Sequence, residues 1–145
     1  MKDLIPSIEG AELISENIFN DERGSFQRIF DDRKFINNYF QGVKNINLSK
    51  NNKKGTFRGL HMQTGAAAET KIINCIKGEI IDLFVDCRTE SSTFGEINYV
   101  YLSQEVSNSL LIPRGCLHSF ITLTNETEVL YSTDNYYDPT KEVSI

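Results

Sequence analysis

Hydrophobic and polar residues alternate along most of the chain, in short runs that are separated by turn residues. Residues 94–103 show the pattern clearly, because Ile97, Tyr99 and Tyr101 fall on one side and polar or aliphatic residues on the other. Successive side chains of a strand point to opposite faces, so this alternation predicts half-buried strands. The same reasoning predicts strands at residues 43–49, 56–63, 71–76, 79–87, 109–112, 118–124 and 128–137.

One helix and one tight turn complete the predicted elements. Residues 31–40 begin with two acidic residues and carry three aromatic side chains on one face, which predicts a short helix. Lys77 and Gly78 lie between two predicted strands and indicate a hairpin. About eight strands joined by short turns are typical of a sandwich or barrel. The chain is therefore predicted to be an all-β jelly roll with one short helix, in a single domain of residues 1–145.

Composition narrows the class of protein. A chain of 145 residues can form a core without a metal or disulfide, and a net charge of −5 argues against nucleic acid as a partner. No apolar run approaches the roughly 20 residues that cross a membrane, and the first residues do not resemble a signal peptide. Three widely spaced cysteines indicate a reducing compartment. We therefore expect a cytoplasmic protein without a membrane or nucleic-acid partner.

Both histidines of the chain lie in recognisable motifs. His61 belongs to TFRGLHMQ (56–63), and His118 ends IPRGCLH (112–118), where a Pro-x-Gly turn precedes it. The two spacings resemble the two motifs of the cupin superfamily, a jelly-roll fold that points such side chains into its cavity. The alternative is that each histidine is a hydrogen-bonded structural residue.

A metal site is the first function to consider for a cupin. Many cupins bind a metal through His-x-His, a glutamate and a later histidine. Here Gln63 occupies the second histidine position, Glu69 is offset, and Lys71 would bring a positive charge near the ion. The sequence therefore predicts neither a metal nor another cofactor.

Seven segments give a more specific resemblance. In order and spacing they are similar to the dTDP-4-dehydrorhamnose 3,5-epimerase family, metal-free cupins that epimerise nucleotide-linked 4-keto-6-deoxy sugars, over residues 19–145. The resemblance implies a nucleotide-diphosphate sugar as substrate and a homodimer that exchanges N-terminal strands. The segments are DERGSF (21–26), NINLS (45–49), KGTFRGLHMQ (54–63), ETKIINCIKGEIIDLFVDCR (69–88), STFG (92–95), IPRGCLHSF (112–120) and YSTDNYYDP (131–139).

The resemblance also implies catalytic roles. Epimerisation beside a ketone needs a base on one face of the sugar, an acid on the other, and a group that stabilises the enolate. In the family the base corresponds to His61 and the acid to Tyr131. Lys71 would stabilise the oxyanion, and Arg58 can hold the diphosphate in a bidentate contact. Without the resemblance, Tyr131 and Lys71 would be read as ordinary strand residues.

Further substrate contacts follow from the same resemblance. Arg23 would lie near the phosphates, Phe26 against the base, and Tyr137 over the base, with Tyr136 as an alternative to Tyr137. Asp82 would pair with His118 and shape the pocket, although a plain carboxylate at a strand edge is the alternative. The remaining predicted substrate contacts are Asn45, Asn47, Gln63 and His118.

The chain departs from the family pattern at several positions. Arg28 replaces a usual glutamate, Asn45 a glutamine and Ser119 a glycine, so the identity of the nucleotide stays open. The family usually continues beyond the last segment here and carries there an aspartate that pairs with the base. We expect either that another group takes this role, with Asp82 and Asp86 as candidates, or that activity is reduced.

The sequence thus predicts an epimerase that inverts C3, C5 or both of a nucleotide-linked 4-keto-6-deoxyhexose. Two alternatives remain: a 3,4-ketoisomerase of a nucleotide sugar, and a binding module for sugar nucleotides without catalysis.

Overall fold

Strands are the main secondary structure of the protein. The structure, a computed structural model, describes residues 5–35 and 39–145, which form twelve strands and three single turns of 3-10 helix. The turns are Asp32–Lys34, Gly65–Ala67 and Pro139–Lys141. The strands are β1 (Glu12–Glu16), β2 (Ile18–Asp21), β3 (Gly24–Gln27), β4 (Asn45–Asn51), β5 (Phe57–Gln63), β6 (Lys71–Lys77), β7 (Glu79–Asp86), β8 (Ile97–Ser103), β9 (Ser107–Ile112), β10 (Cys116–Thr122), β11 (Thr127–Thr133) and β12 (Glu142–Ser144).

Ten of these strands form two antiparallel sheets. Sheet I has the strand order β1-β9-β6-β11-β4, and sheet II has the order β12-β5-β10-β7-β8. Strands β2 and β3 pair with each other as a separate hairpin. The predicted all-β jelly roll is confirmed, whereas alternation did not reveal β1, β2, β3 and β12, which have only three to five residues each.

The core lies between the inner faces of the two sheets. Phe84 and Val100 of sheet II and Ile73 and Val129 of sheet I belong to one cluster and are fully buried. The alternation of β8 appears directly in burial, since Val100 and Leu102 point inward while Tyr99 and Tyr101 are at least partly exposed. Removal of this apolar surface from water drives the two sheets together.

The outer faces of the two sheets differ. A second cluster covers sheet I, where Phe35 packs on Ile72 and Leu111, and Phe30 stacks on Phe35 with ring centroids 5.7 Å apart. Sheet II exposes apolar side chains on its outer face, with Ile97 52% and Tyr99 48% accessible.

The hairpin predicted at Lys77 and Gly78 is wrong. Strand β6 pairs with β9 and β11 in sheet I, whereas β7 pairs with β8 and β10 in sheet II. Gly78 is the only residue between the two strands, and its φ of +79° turns the chain from one sheet to the other. A side chain at Gly78 would collide with the hydroxyls of Thr124 and Thr127.

The predicted helix is much shorter than residues 31–40. Asp31 caps a single 3-10 turn at Asp32–Lys34 through its carboxylate, which accepts from the backbone N–H of Arg33. Phe35 then leaves helical geometry, at φ −109° and ψ 51°, and is buried against sheet I. Residues 36–38 lie outside the described residues. No helix in the described part of the chain is both long and apolar enough to cross a membrane.

Candidate active site

A cavity of about 600 Å³ opens between the two sheets. Alternation places Lys71 and Ile73 of β6, and Val129 and Tyr131 of β11, on the inner face of sheet I. Ile73 and Val129 belong to the core, while Lys71 and Tyr131 line the opening. The cavity is lined by Leu48, Ser49, Lys50, Phe57, Arg58, Gly59, His61, Lys71, Ile73, His118, Phe120, Val129 and Tyr131.

His61 lies on β5 directly opposite His118 on β10. The two rings meet edge to face, with centroids 6.0 Å apart and an interplanar angle of 87°. Burial, followed by the electrostatic effects of Lys71 and His118, lowers the pKa of His61 from 6.5 to about 4, and Glu142 opposes this shift. His61 is therefore neutral at pH 7 and can accept a proton.

His118 is fixed by a carboxylate. Its Nε2 lies 2.7 Å from Oδ2 of Asp82, and both side chains are buried. Burial raises the pKa of the Asp82 carboxyl, while His118 lowers it. Asp82 thus lies in the interior and not at a strand edge. Among the described residues, Nδ1 of His118 and Oδ1 of Asp82 have no hydrogen-bond partner.

Neither carboxylate that was expected to orient His61 does so. Asp82 is engaged by His118, and Asp86 forms an ion pair of 2.9 Å with Arg88. Asp86, the last residue of β7, also accepts hydrogen bonds from Ser91 and Thr93 of the loop that follows. The part of the expectation that named Asp82 or Asp86 is wrong, because sequence position does not show which side chain faces which strand. Reduced activity stays a prediction.

Lys71 is almost fully buried, with 5% of its surface exposed. Its Nζ lies 3.8 Å from Oε1 of Glu69. Burial lowers the pKa of Lys71, and the charges of Glu69, Asp82 and Glu142 raise it. A largely desolvated cation thus lies in the cavity wall, where it interacts strongly with a negative charge that develops nearby.

Tyr131 faces the cavity from the wall opposite His61. It belongs to β11 of sheet I, whereas His61 belongs to β5 of sheet II. Both residues line the cavity and a smaller extension of about 200 Å³. Burial and the charge of Glu69 raise the pKa of the Tyr131 phenol above 10, so it is protonated at pH 7. The structure therefore brings a proton acceptor and a proton donor to opposite walls of one space.

Arg58 lies at the edge of the cavity. Its Nε donates to Oδ1 of Asn51 at 2.7 Å, which fixes the orientation of the guanidinium. Lys50 lines the same edge and adds a second positive charge. This part of the cavity is suited to an anionic group.

Gly59 explains why a glycine stands between Arg58 and His61. Its φ is +116°, and a Cβ at this position would lie 2.5 Å from the carbonyl oxygen of His118 and 2.6 Å from Cβ of Ser119. Only glycine allows β5 and β10 to approach this closely. The close approach in turn places the two histidines opposite each other.

Three of the predicted substrate contacts border a side depression of about 320 Å³. Asn45, Asn47 and Tyr137 line it together with Tyr131. Asn45 also donates to the carbonyl of Asn135 at 2.9 Å. Tyr137 borders the extension near His61 as well, whereas Tyr136 lines neither space, which favours Tyr137 over the alternative.

Gln63 does not have free polar groups for a substrate. It is buried, its amide donates to the carbonyls of Ala67 and Tyr136 at 3.0 Å, and its Oε1 accepts from the N–H of Asp138 at 2.6 Å. Gln63 therefore joins the two loops that border the cavity. It also lines a pocket of about 200 Å³ beside His61, and its role as a substrate contact stays a prediction.

Arg23 and Phe26 are not brought to the cavity within one chain. Both lie on the exposed β2–β3 hairpin, where Arg23 pairs with Asp21 at 2.6 Å. Phe26 is 66% exposed and lies opposite Phe19, which is 63% exposed. These residues line a separate depression on the hairpin.

Sequence reasoning missed Glu142 as a residue of the site. It lies on β12, beside β5, and lines the extension of the cavity together with His61, Lys71 and Tyr131. A strand of three residues near the last position of the sequence has no periodic signal that could have revealed it.

The side chains present do not form a metal centre. In the described ranges, no three His, Cys, Asp or Glu side chains are grouped as metal ligands. Gln63 is saturated by protein hydrogen bonds, and Lys71 places its ammonium group next to Glu69. The donor set therefore does not fit the metal that many cupins hold.

Comparison with known proteins adds to this geometry. Residues 6–145 match the model of the family described as dTDP-4-dehydrorhamnose 3,5-epimerase. The chain belongs to this family. An enzyme of that name from Salmonella typhimurium is 41% identical over 135 residues, which are 92% of this chain and 73% of the relative.

Solved structures of epimerases have the same fold. A dTDP-6-deoxy-D-glucose-3,5-epimerase from Legionella pneumophila, in complex with dTDP-4-keto-L-rhamnose, superimposes with a TM-score of 0.89 at 32% identity. The match covers 99% of this chain and 77% of that one. A 3'-monoepimerase from Streptomyces bikiniensis in complex with dTDP-quinovose gives a TM-score of 0.88 at 27% identity, with 97% and 72% covered. The chain is accordingly an epimerase, an enzyme of the isomerase class.

Proposed function

We propose that this epimerase inverts C3, C5 or both of a nucleotide-linked 4-keto-6-deoxyhexose. The observation that carries the proposal is the position of His61 and Tyr131 on opposite walls of one cavity, with buried Lys71 in the wall. A cavity of about 600 Å³ is within the usual range for a small-molecule site. The relatives named above act on or bind dTDP-linked sugars, which makes dTDP the first nucleotide to test.

His61 is the base in this mechanism. Its neutral imidazole takes the proton from the carbon beside the ketone and becomes imidazolium, and the electron pair of the C–H bond moves to the ketone oxygen. Lys71 stabilises the resulting enolate oxygen by its charge. Acid–base help is typically worth ~10²–10⁴-fold, and stabilisation of the developing oxyanion roughly 3–4 kcal/mol.

Tyr131 is the acid. Its phenol donates a proton to the same carbon from the opposite face, so the configuration is inverted and a phenolate remains. The proton gained by His61 and the proton lost by Tyr131 are then exchanged with solvent. A carbon that is protonated again by His61 would keep its configuration, so the two residues have separable effects on exchange and on inversion.

The diphosphate binds at the edge formed by Arg58 and Lys50. Arg58 is held by Asn51 and directs its remaining N–H groups towards an anion. Asn45, Asn47 and Tyr137 border the neighbouring depression and contact the nucleotide sugar there. His118, which is fixed by Asp82, lines the same cavity.

Two copies of the chain complete the site. We place Arg23 and Phe26 against the nucleotide in the cavity of a partner subunit, in a homodimer that exchanges its N-terminal strands. The β2–β3 hairpin supports this, because it pairs with neither large sheet and exposes Phe19 and Phe26. The apolar outer face of sheet II supplies further surface for an interface of this kind.

The dimer can be tested by mixing two inactive variants, His61→Ala and Arg23→Ala, after denaturation and refolding together. If each site needs His61 from one subunit and Arg23 from the other, random pairing restores about a quarter of the wild-type rate. Absence of any recovery, together with a monomeric mass in solution, would contradict the exchanged dimer.

The reaction needs no metal or organic cofactor in this proposal, in keeping with the donor set of the cavity. Activity should therefore be unchanged after removal of metals by a chelator, with elemental analysis as the check. The setting is the cytoplasm, which agrees with the three free cysteines, and the product serves deoxysugar or polysaccharide synthesis.

One incubation tests the function. The protein is mixed in deuterated water with 4-keto-6-deoxyglucose linked to dTDP, UDP or GDP, and the products are followed by NMR. We expect deuterium at C3, C5 or both, with inversion of the labelled carbon. A 3-keto product would indicate a ketoisomerase, and binding without deuterium incorporation would indicate a module that only binds sugar nucleotides.

A further inference from the structure

Glu142 reaches the active site from the last strand. Strand β12 is antiparallel to β5, with Glu142 opposite Gln63 and Ser144 opposite His61. Residues that pair across two strands point to the same face, so Glu142 lies on the face of β5 that carries His61. It lines the extension of about 200 Å³ together with His61, Lys71 and Tyr131.

The carboxylate of Glu142 is held in place. The hydroxyl of Tyr137 donates to its Oε2 at 2.8 Å, and the hydroxyl of Ser144 contacts Oε1 at 3.5 Å. Tyr137 borders both the extension and the depression next to it. Glu142 therefore binds Tyr137, which lies on the nucleotide side of the proposed site, and borders the same space as His61, which lies on the sugar side.

The other acidic groups near the cavity are committed elsewhere. Asp82 is bonded to His118, and Glu69 lies next to Gln63 and Lys71. His61 is faced by His118 from β10, Lys71 from β6, Tyr131 from β11 and Glu142 from β12. Among these groups, Glu142 is the one whose negative charge stabilises a proton on His61.

We propose that Glu142 is a positioning residue for epimerisation, which acts through His61 and Tyr137 and does not touch the reacting carbons. The inference rests on the function proposed above. When His61 takes the sugar proton, an imidazolium forms in a half-buried place beside Lys71, which is unfavourable. Glu142 offsets that charge and makes His61 a stronger base, while its bond to Tyr137 fixes the ring that closes the site.

Glu142→Gln is the informative variant, because glutamine can still accept the hydrogen bond from Tyr137 but has no charge. We expect kcat to fall about 10–100-fold, as is typical when the partner of a functional imidazole is removed, with little change in KM. Glu90→Gln, in an exposed loop outside the cavity, is the matched control and should have wild-type kinetics.

A titration separates the electrostatic role from a purely structural one. The chain has only two histidines, so protein with isotope-labelled histidine gives two imidazole signals, and a His61→Asn spectrum assigns them. In Glu142→Gln the pKa of His61 should be lower than in the wild type, and in Glu90→Gln it should be unchanged.

An unchanged His61 titration in Glu142→Gln would overturn the proposal, and so would a variant with raised KM and normal kcat. The titration does not depend on turnover. If the wild-type protein shows no exchange with any nucleotide sugar, the proposed function fails, and the titration still decides whether Glu142 acts on His61.

Discussion

His61 and His118 occupy directly paired positions on β5 and β10, and yet their surroundings are opposite. His118 is buried and bonded to Asp82 at 2.7 Å. His61 is half-buried and faces the cavity, where burial and the electrostatic effects of Lys71 and His118 lower its pKa. One imidazole is therefore fixed as part of the wall, while the other is kept neutral and accessible for proton transfer. The two histidines differ in their chemistry because Asp82 binds His118 and not His61.

His61→Ala tests the difference between the two histidines with the largest expected effect, a loss of turnover. Removal of the base should lower the rate of solvent deuterium exchange at the carbons beside the ketone by about 10²–10⁴-fold. NMR of the sugar in deuterated water measures it. The variant should remain folded, since His61 has no buried carboxylate partner; exchange as fast as in the wild type would show that His61 is not the base.

Tyr131→Phe should have the next largest effect, on inversion more than on exchange. The phenylalanine keeps the aromatic ring in the wall of sheet I but cannot donate a proton from the far face. We expect inversion to slow by about 10²-fold while deuterium still enters with retained configuration. Equal losses of exchange and inversion would mean that Tyr131 is not the separate acid on that face.

Asp82→Ala should affect mainly the stability of the fold, which distinguishes the structural role of His118 from the reactive role of His61. It leaves the Nε2 of buried His118 without a partner, which costs about 1–3 kcal/mol of unfolding free energy. Urea unfolding of this variant and of His61→Ala measures the difference. If His61→Ala destabilised the protein as much as Asp82→Ala, the division into a wall histidine and a reactive histidine would not hold.

The smallest expected effect is that of mild acid on the free enzyme. With a His61 pKa of about 4, the base stays unprotonated at pH 5.5, so kcat/KM should hardly change between pH 7 and pH 5.5. An ordinary histidine with a pKa of 6.5 would lose about tenfold over that range. Because the pKa is lower in the folded protein, the stability that His61 contributes is present above pH 6.5 and is lost as pH falls towards 4. A kcat/KM profile that bends near pH 6.5 would contradict the environment described for His61.

The strand content and the chemistry of the motifs could be predicted from the sequence. Alternation predicted most of the long strands, including those that carry His61, Lys71 and Tyr131, and the resemblance to the epimerase family implied the roles of these residues. Period two is a local property of an extended chain, so it can be read without knowledge of the fold.

Which strands and side chains meet depends on the fold as a whole. Alternation gives the face of a strand but not its neighbour, and for this reason the switch between sheets at Gly78 was mistaken for a hairpin. The same limit hid the pairing of Asp82 with His118, the saturation of Gln63, and the position of Glu142 beside His61. These contacts join residues far apart in the chain, and their geometry depends on how the two sheets pack, which no local pattern of residues records.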